Sequence, residues 1–267
     1  MHYKLYHYTS IETLALILNQ KKIRFNRLDQ VDDVLESSEY KKVNFSNYLF
    51  VSCWTENPEE NIALWNMYTK KMKGVRIGLS KFPFMKKLIA KDLNNPLLSI
   101  VDDMIQPLTI EECINPEYFI VPVFDGFYKK VEYLDTDELN SRFENMVEKQ
   151  VYPDNTFSIN ARSQDFAKIK HKRWSFQEES RFVLFILPPI NDFDDIPILM
   201  TQLYQEKNLG ITYYDMDLDP LTLQNIEVLL GPNCSDADKL IVESLLYKYD
   251  VKNEAKESSL KGKIRFK

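Results

Sequence analysis

The sequence predicts a single α/β (α+β) domain in which amphipathic helices pack against a mixed β-sheet. Short β-branched or aromatic runs alternate with helical apolar patterns along the whole chain. Aromatic residues make up 13% of the 267 residues, which suits thick cores that contain a sheet. No internal repeat, low-complexity tract or clear linker divides the sequence. We therefore expect one domain over residues 1–267, with a helical insertion at about residues 81–150.

The first elements are expected to be a strand, a capped helix and a second strand. Residues 4–8 alternate in the manner of a short strand. Thr9 and Glu12 match a capping box, in which a hydroxyl and a carboxylate satisfy free amides of the first helical turn. Apolar residues at helical spacing then predict a helix that ends near Gln20. A strand over residues 23–27 and an acidic turn over residues 32–36 follow.

The later elements are predicted by the same two patterns. Strands are expected over residues 48–54, 74–79, 118–123, 126–134 and 226–230, the last of them stopped by a Gly-Pro turn. Helices are expected over residues 61–71, 136–150 and 236–249, and a solvated basic helix end over residues 168–173.

A polar head on a strongly apolar run, residues 174–187, predicts a strand that begins at the rim of a site. Because side chains alternate with a period of two, Gln177, Glu179 and Arg181 would share one face of it. A carboxylate beside an arginine stays ionised, and Glu179 would then orient a ribose hydroxyl or stabilise an oxocarbenium-like centre. The alternative is a structural Glu–Arg pair. Trp174 is expected to be buried as a packing wedge at the start of this strand.

Three further residues are candidates for binding. His7 lies just before the capped helix, where an imidazole beside free amides suits a phosphate or a ribose hydroxyl. The alternative is a histidine that is hydrogen-bonded within the core. Trp65 and Tyr68 are separated by one helical turn and would form either a stacking wall or part of the core.

Composition and motifs argue against several classes of function. The formal charge of −6 argues against a protein that coats nucleic acid through its overall field. Phosphate-binding glycine motifs are missing, and the histidines and three cysteines have no metal-ligand spacing, so no metal site is expected. Asp32, Asp33 and Glu36 would form either a divalent-cation site or a solvated turn. Without a signal peptide or a run that could span a membrane, the expected location is cytoplasmic.

Motifs along most of the chain resemble a bacterial family known as domain of unknown function 2971. The similar stretches are residues 5–10 with Tyr-His-Tyr-Thr, 23–25, 32–36, 64–68, 74–78, 170–181 with Lys-x-x-x-Trp-x-x-Gln-x-Glu-x-Arg, and 227–232. Gln177 stands where that family often has Glu.

The first and last of these motifs also resemble the ADP-ribosyltransferase fold, particularly toxins of the DarT type. This resemblance implies a split, mixed sheet and NAD as a cosubstrate that is consumed. It implies that His7 and Thr9 contact NAD, with His7 also in the catalytic set. Trp65 or Tyr68 would stack on nicotinamide, Glu179 would promote cleavage of the glycosidic bond, and Arg181 would belong to the NAD site.

The expected function is therefore an NAD-consuming, ADP-ribosyltransferase-like enzyme of a bacterial stress, toxin or phage-defence system. It would cleave the nicotinamide–ribose bond and pass ADP-ribose to water or to an acceptor protein or nucleic acid. His7 and Glu179 would then lie on neighbouring strands and face one cleft. The alternatives are a non-enzymatic nucleotide-sensing or interaction module, and a metal-dependent, nuclease-like effector that uses the acidic residues at 32–36.

Overall fold

The computed structural model describes residues 4–38, 44–93, 100–123, 127–153, 157–190 and 192–264. Within these ranges the chain is a mixed α+β structure built on a large antiparallel sheet. The strands are β1 Lys4–Thr9, β2 Lys22–Arg27, β3 Leu49–Thr55, β4 Val75–Ser80, β5 Lys87–Ile89, β6 Met104–Gln106, β7 Phe119–Ile120, β8 Tyr128–Lys130, β9 Glu132–Leu134, β10 Val147–Val151, β11 Phe157–Ala161, β12 Ile169–His171, β13 Glu179–Leu187, β14 Tyr213–Asp217 and β15 Glu227–Leu230. The α-helices are α1 Ile11–Gln20, α2 Val34–Ser38, α3 Ile62–Tyr68, α4 Ile110–Cys113, α5 Thr136–Glu144, α6 Ile196–Tyr204, α7 Pro220–Gln224 and α8 Asp236–Lys248.

The main sheet divides at β3. Its strand order is β14-β2-β3-β1-β4-β15, while β13 pairs along β3 and is flanked in turn by β7 and β8. Because β13 occupies one edge of β3, β2 and β1 share the other edge. There β2 pairs at Phe50 and Val51, and β1 pairs at Thr55. The stretch of β3 between these points has no partner on that edge among the described pairings, and the cleft described below lies beside it.

The expectation of a mixed sheet is corrected for the main sheet, because every described strand pairing within it is antiparallel. An isolated parallel bridge joins Leu229 of β15 to Lys256, which lies outside the strands. The parallel strand pair, β9 with β12, lies beside it as a separate two-stranded unit.

Two apolar cores cover the two faces of β13. Phe182 and Leu184 pack in one core with residues of α1 and α8, whereas Val183 and Phe185 pack with residues of α5 and α6 in the other. A strand that is buried on both faces is apolar at every position, which accounts for the continuous run after Arg181. The polar start of β13 is therefore fixed by a well-packed strand.

The N-terminal cap of α1 differs from the expected capping box. Ser10, rather than Thr9, is the cap, and its hydroxyl accepts a hydrogen bond from the Thr13 amide at 3.1 Å. The helix ends where Lys21 adopts left-handed backbone dihedrals and its amide bonds to the Ile17 carbonyl. Thr9 remains the last residue of β1.

The central segment contains fewer helical residues than expected. Between residues 81 and 150 the described helices are α4 and α5, and β7 and β8 from this segment pair with β13 in the main sheet. The expected strand over 126–134 is two strands, with residue 126 outside the described ranges. The expected helix over 136–150 ends at Glu144, and β10 follows it.

Two local expectations near the site are also corrected. The segment Lys172–Gln177 forms 3-10 helix, so β13 begins only at Glu179, and the expected basic helix end is instead the short strand β12. The expected acidic turn continues into the short helix α2.

Candidate active site

A buried arginine lies between two carboxylates at the start of β13. Arg181 is fully buried, and its Nε and Nη2 donate to the two carboxylate oxygens of Glu179 at 2.7 and 3.1 Å. Its Nη1 and Nη2 donate to the carboxylate of Glu36, the latter at 3.0 Å, and Nη1 also donates to the Ala167 carbonyl at 3.1 Å. These contacts use all five N–H groups of the guanidinium.

Lys170 is a second buried cation, and it lies on the other side of Glu179. Only 1% of its side chain is exposed. Its Nζ donates to Gln177 Oε1 at 2.8 Å, to Glu179 Oε2 at 3.2 Å and to Asp32 Oδ1 at 3.3 Å. The ring of Trp174 covers the ammonium at 4.8 Å, so Trp174 is half-buried over the cation rather than fully buried in the core as expected.

The backbone around this cluster contains two strained residues. Ala167 has φ 52°, and Glu178 has φ 44° and ψ 49°, the left-handed conformation that costs a non-glycine residue about 1–2 kcal/mol. The turn at Glu178 separates two residues whose side chains both reach Lys170, namely Gln177 and Glu179. Both strained residues thus lie where the backbone bends around the buried cations.

The cluster keeps Glu179 anionic. Burial alone would raise the pKa of Glu179, but the charges of Arg181 and Lys170 outweigh it and lower that pKa to about 2. Burial raises the pKa of Glu36 in spite of Arg181. For Lys170, burial acts to lower the pKa, but the carboxylate of Glu179 reverses the direction and the pKa is raised. Glu179 is therefore suited to electrostatic stabilisation rather than to donating a proton.

An aromatic cleft opens over Glu179 where the sheet divides. The cavity volume of this cleft is about 60 Å³, and the empty space reaches about 380 Å³ when its open mouth is included. Its aromatic lining is Tyr6, Tyr8, Trp54 and Tyr68, and its polar lining includes His7, Gln177 and Glu179. Thr55 pairs with both Tyr6 and Glu179, so these three residues share one face of the sheet.

His7 borders the same cleft from a different direction. By the alternation along β1 it points to the opposite face from Tyr6, and β3 lies between its strand and that of Glu179. The expectation that the two residues lie on neighbouring strands and on one side of the sheet is therefore wrong: His7 points to the opposite face from Glu179, although both line the cleft that opens between the strands. The imidazole Nδ1 donates to the Cys53 carbonyl at 2.8 Å. Burial lowers the pKa of His7, and it outweighs the hydrogen bond to Cys53, which acts to raise that pKa. The ring is therefore neutral, with its proton on Nδ1 and with Nε2 free to accept a hydrogen bond.

Of the other candidate residues, Tyr68 alone lines the cleft. Its hydroxyl donates to Asp32 Oδ2 at 2.5 Å and accepts from Gln177 Nε2 at 2.7 Å. Trp65 is fully buried, with its ring against Tyr8 at a centroid distance of 4.8 Å and its indole N–H bonded to Glu60.

Two expected ligand contacts lie outside the cleft. Thr9 is buried at the end of β1, where it pairs with Val75. Arg181 lies against Glu179 with every N–H donor already engaged by protein atoms. The structure thus brings together His7, Tyr68 and Glu179 of the candidate set.

The acidic residues at 32–36 are engaged by protein partners. Asp33 accepts from the Leu35 amide at 3.2 Å, and the place between Glu36 and Glu179 where a bridging cation would sit is filled by the Arg181 guanidinium. In the described ranges, no group of three or more His, Cys, Asp or Glu side chains is arranged to hold a metal ion. The same ranges contain no helix with both the length and the apolar character needed to cross a bilayer.

Comparison with known proteins gives one family. Residues 64–182 match the model of the family Protein of unknown function (DUF2971). The match covers less than half of the 267 residues and supports the resemblance that the motifs indicate. It includes Lys170, Glu179 and Arg181, whereas His7 and Glu36 lie before it. No curated protein and no solved structure matches the chain.

Proposed function

We propose that this chain is an NAD-consuming, ADP-ribosyltransferase-like enzyme that cleaves the nicotinamide–ribose bond. The observation that carries the proposal is the carboxylate of Glu179, which is 7% exposed, has a pKa of about 2 and borders an aromatic cleft. A permanently anionic group beside stacking surfaces suits a ligand that is both aromatic and cationic.

The nicotinamide ring of NAD has this combination of properties. Tyrosine and tryptophan faces attract cations through their ring quadrupole, and Tyr6, Tyr8, Trp54 and Tyr68 all line the cleft. The ionic cluster adds to this preference. Its three carboxylates and two cations carry a formal charge of −1, with the Glu179 carboxylate at the cleft.

The proposed reaction needs little from the protein beyond charge and position. The glycosidic C–N bond breaks, its electron pair goes to the ring nitrogen, and nicotinamide leaves as a neutral molecule. Positive charge develops on the ribosyl carbon and its ring oxygen, where Glu179 stabilises it. A water or an acceptor hydroxyl, amine or amide then bonds to that carbon and loses a proton. His7, as a neutral acceptor at Nε2, is suited to hold a ribose hydroxyl.

Arg181 and Lys170 are positioning residues in this scheme. They do not line the cleft but hold both oxygens of Glu179. Gln177 completes the arrangement, because it links Lys170 to Tyr68 at the cleft wall. Preorganised charge of this kind needs no reorganisation during the reaction.

The test is incubation with NAD that is labelled in both the nicotinamide and the adenylate parts. We expect released nicotinamide, together with either free ADP-ribose or labelled protein or nucleic acid from an added cell extract. The Glu179→Gln variant keeps the shape but loses the charge, and its rate should fall by about 10²–10³-fold. Glu227→Gln is the matched control, since Glu227 pairs with Lys4 at the surface. Equal rates in Glu179→Gln and the parent, at equal stability, would refute the assignment.

A non-enzymatic nucleotide-binding module is the second candidate, and one observation favours it. Both oxygens of Glu179 already accept hydrogen bonds from Arg181 or Lys170, which leaves limited freedom to follow a reacting carbon. This candidate predicts saturable binding of NAD or ADP-ribose without release of nicotinamide. Parallel binding and turnover measurements on the same preparation separate the two.

The resemblance to DarT-type toxins suggests the biological setting that we propose, a cytoplasmic stress, toxin or phage-defence system of a bacterium. Expression of the parent chain in bacterial cells should then slow growth and modify a protein or nucleic acid. The Glu179→Gln chain, expressed at the same level, should do neither. Equal toxicity of the two chains would separate the biological effect from the proposed chemistry.

A further inference from the structure

Arg76 lies on the same face of the sheet as the tyrosines of the aromatic cleft. It is on β4 and pairs directly with Tyr8 on β1, so their side chains point the same way. The guanidinium carbon lies 4.6 Å from the ring centroid of Tyr6 and 5.9 Å from that of Tyr8. Both rings line the cleft. Arg76 does not itself line the cleft, but its guanidinium packs against two of the tyrosines that do.

This guanidinium has unused capacity for hydrogen bonding. Its Nη1 donates to the Pro58 carbonyl at 2.7 Å, while its Nε is buried and has no hydrogen-bond partner. A buried donor without a partner is destabilising, and the Nε–Nη2 edge is the one that binds carboxylate or phosphate in a fork. Binding an anion through this edge requires the side chain to rotate, because Nε is buried in this structure.

Other half-buried or buried arginines in the described part of the chain face a carboxylate. Arg27 pairs with Asp29, Arg142 with Asp165, and Arg181 with two glutamates. Across the described residues, no carboxylate lies within ion-pair distance of Arg76, whose neighbours are the Pro58 carbonyl, the rings of Tyr6 and Tyr8 and the Tyr8 hydroxyl. The positive charge of Arg76 therefore lacks the neighbouring carboxylate that neutralises the charge of Arg27, Arg142 and Arg181.

We propose that Arg76 binds the diphosphate of the nucleotide that occupies the cleft. The identity of that nucleotide rests on the proposed function, whereas the anion site itself does not. Glu179 repels phosphate, and Lys170 and Arg181 are already occupied by carboxylates, whereas Arg76 packs against Tyr6 and Tyr8 without a carboxylate partner among the described residues. For a dinucleotide with a cationic ring and an anionic diphosphate, this proposal places the ring beside Glu179 and the diphosphate beside Arg76.

The test compares ligands with and without phosphate. Binding of NAD, ADP-ribose, inorganic pyrophosphate and nicotinamide riboside is measured by calorimetry or by competition. The variants are Arg76→Gln, Arg76→Lys and the matched control Arg24→Gln. Arg24 also lies over a tyrosine ring, that of Tyr213 at 3.7 Å, but it pairs with Asp215 at the surface. Melting temperatures are recorded for all three to exclude a loss of folding.

In Arg76→Gln, affinity for NAD, ADP-ribose and pyrophosphate should fall by about 10- to 100-fold, as expected for losing a charge-assisted contact. Affinity for nicotinamide riboside should change less than about twofold. Arg76→Lys should recover part of the loss, because it restores the charge without the fork, and Arg24→Gln should match the parent. A uniform loss for all four ligands, or no loss for any, would overturn the proposal and leave Arg76 as a structural residue.

This result is separable from that of the proposed function. If the parent chain binds ADP-ribose and pyrophosphate through Arg76 but releases no nicotinamide, the anion site stands and the enzymatic proposal fails. If nicotinamide is released and the KM for NAD in Arg76→Gln equals that of the parent, the enzyme stands and the anion site fails.

Discussion

Replacing Lys170 with methionine tests how strongly the buried cluster depends on its second cation. Methionine keeps most of the apolar stem but removes the ammonium. Three acceptors then lose a donor: Gln177 Oε1 at 2.8 Å, Glu179 Oε2 at 3.2 Å and Asp32 Oδ1 at 3.3 Å. Glu179 in particular would keep its charge in a buried place with Arg181 as its remaining cation.

The expected loss in the free energy of unfolding is about 3–5 kcal/mol, the range for removing one partner of a buried ion pair. The matched control is Lys4→Met. Lys4 pairs with Glu227 at 2.5 Å, but their side chains are 30% and 34% exposed, so this loss should be at most about 1 kcal/mol. Urea denaturation of the parent and both variants at neutral pH measures the two losses, provided that the free energy of unfolding falls with urea at the same slope in all three.

Acid adds a second signature to this prediction. Because the charge of Lys170 helps to lower the pKa of Glu179, that pKa should rise in Lys170→Met. The stability that depends on ionised Glu179 should then disappear at a higher pH than in the parent. If Lys170→Met is no less stable than Lys4→Met and loses stability over the parent's pH range, the buried-cluster argument is wrong.

Three further outcomes follow from the same residues. The pKa of Glu179 is about 2 in the folded chain and 4.5 ordinarily, so its ionised carboxylate stabilises the fold fully above pH 4.5 and loses this effect as the pH falls toward 2. Between pH 6 and pH 2, the free energy of unfolding of the parent should therefore fall by about 3 kcal/mol more than that of Glu179→Gln, as measured by urea denaturation. Glu178→Gly should be about 0.5–1 kcal/mol more stable than Glu178→Ala in thermal melts, since both variants lose the hydrogen bond from Asn57 but only glycine removes the strain of φ 44°; an alanine variant that is equally stable would contradict the strain argument. Trp174→Ala should lower stability by about 1–2 kcal/mol, because the ring covers the Lys170 ammonium at 4.8 Å, and a loss as large as 3–5 kcal/mol would instead indicate a core tryptophan.

Much of the main sheet follows from side-chain periodicity alone. The strands β1, β2, β3, β4 and β15 and the helices α1 and α8 lie close to their expected ranges, because each shows the spacing of its own secondary structure. Segments with two short strands, such as β8 and β9, were expected as one, since a break of a single residue leaves little trace in the sequence. Within the 3-10 helix Lys172–Gln177, the part from Trp174 onward was expected as strand because its polar residues happen to alternate.

The site was predictable in part. His7, Tyr68 and Glu179 were expected at one cleft and do line one cleft, but His7 reaches it from the opposite face of the sheet to Glu179. Lys170 was expected at a solvated helix end, because a lysine among other basic residues looks exposed when its partners are unknown. One of those partners, Asp32, lies 138 residues earlier in the chain. No local pattern reports a pairing over that distance, and no pattern indicated that Arg181 would be saturated by protein acceptors.

The buried cluster of Asp32, Glu36, Lys170, Glu179 and Arg181 consists of charged side chains, and this needs an explanation other than stability. Removing several charges from water is costly, and apolar side chains of similar volume often stabilise a fold as well or better. Stability alone therefore does not account for two cations held below a cleft, with strained backbone at Ala167 and Glu178 on either side. Their shared effect is to hold Glu179 in one position and in one charge state at the edge of an aromatic cavity. A fixed anion is of use where a cation arrives or forms, and this is the basis on which we propose a cationic nucleotide rather than a neutral one.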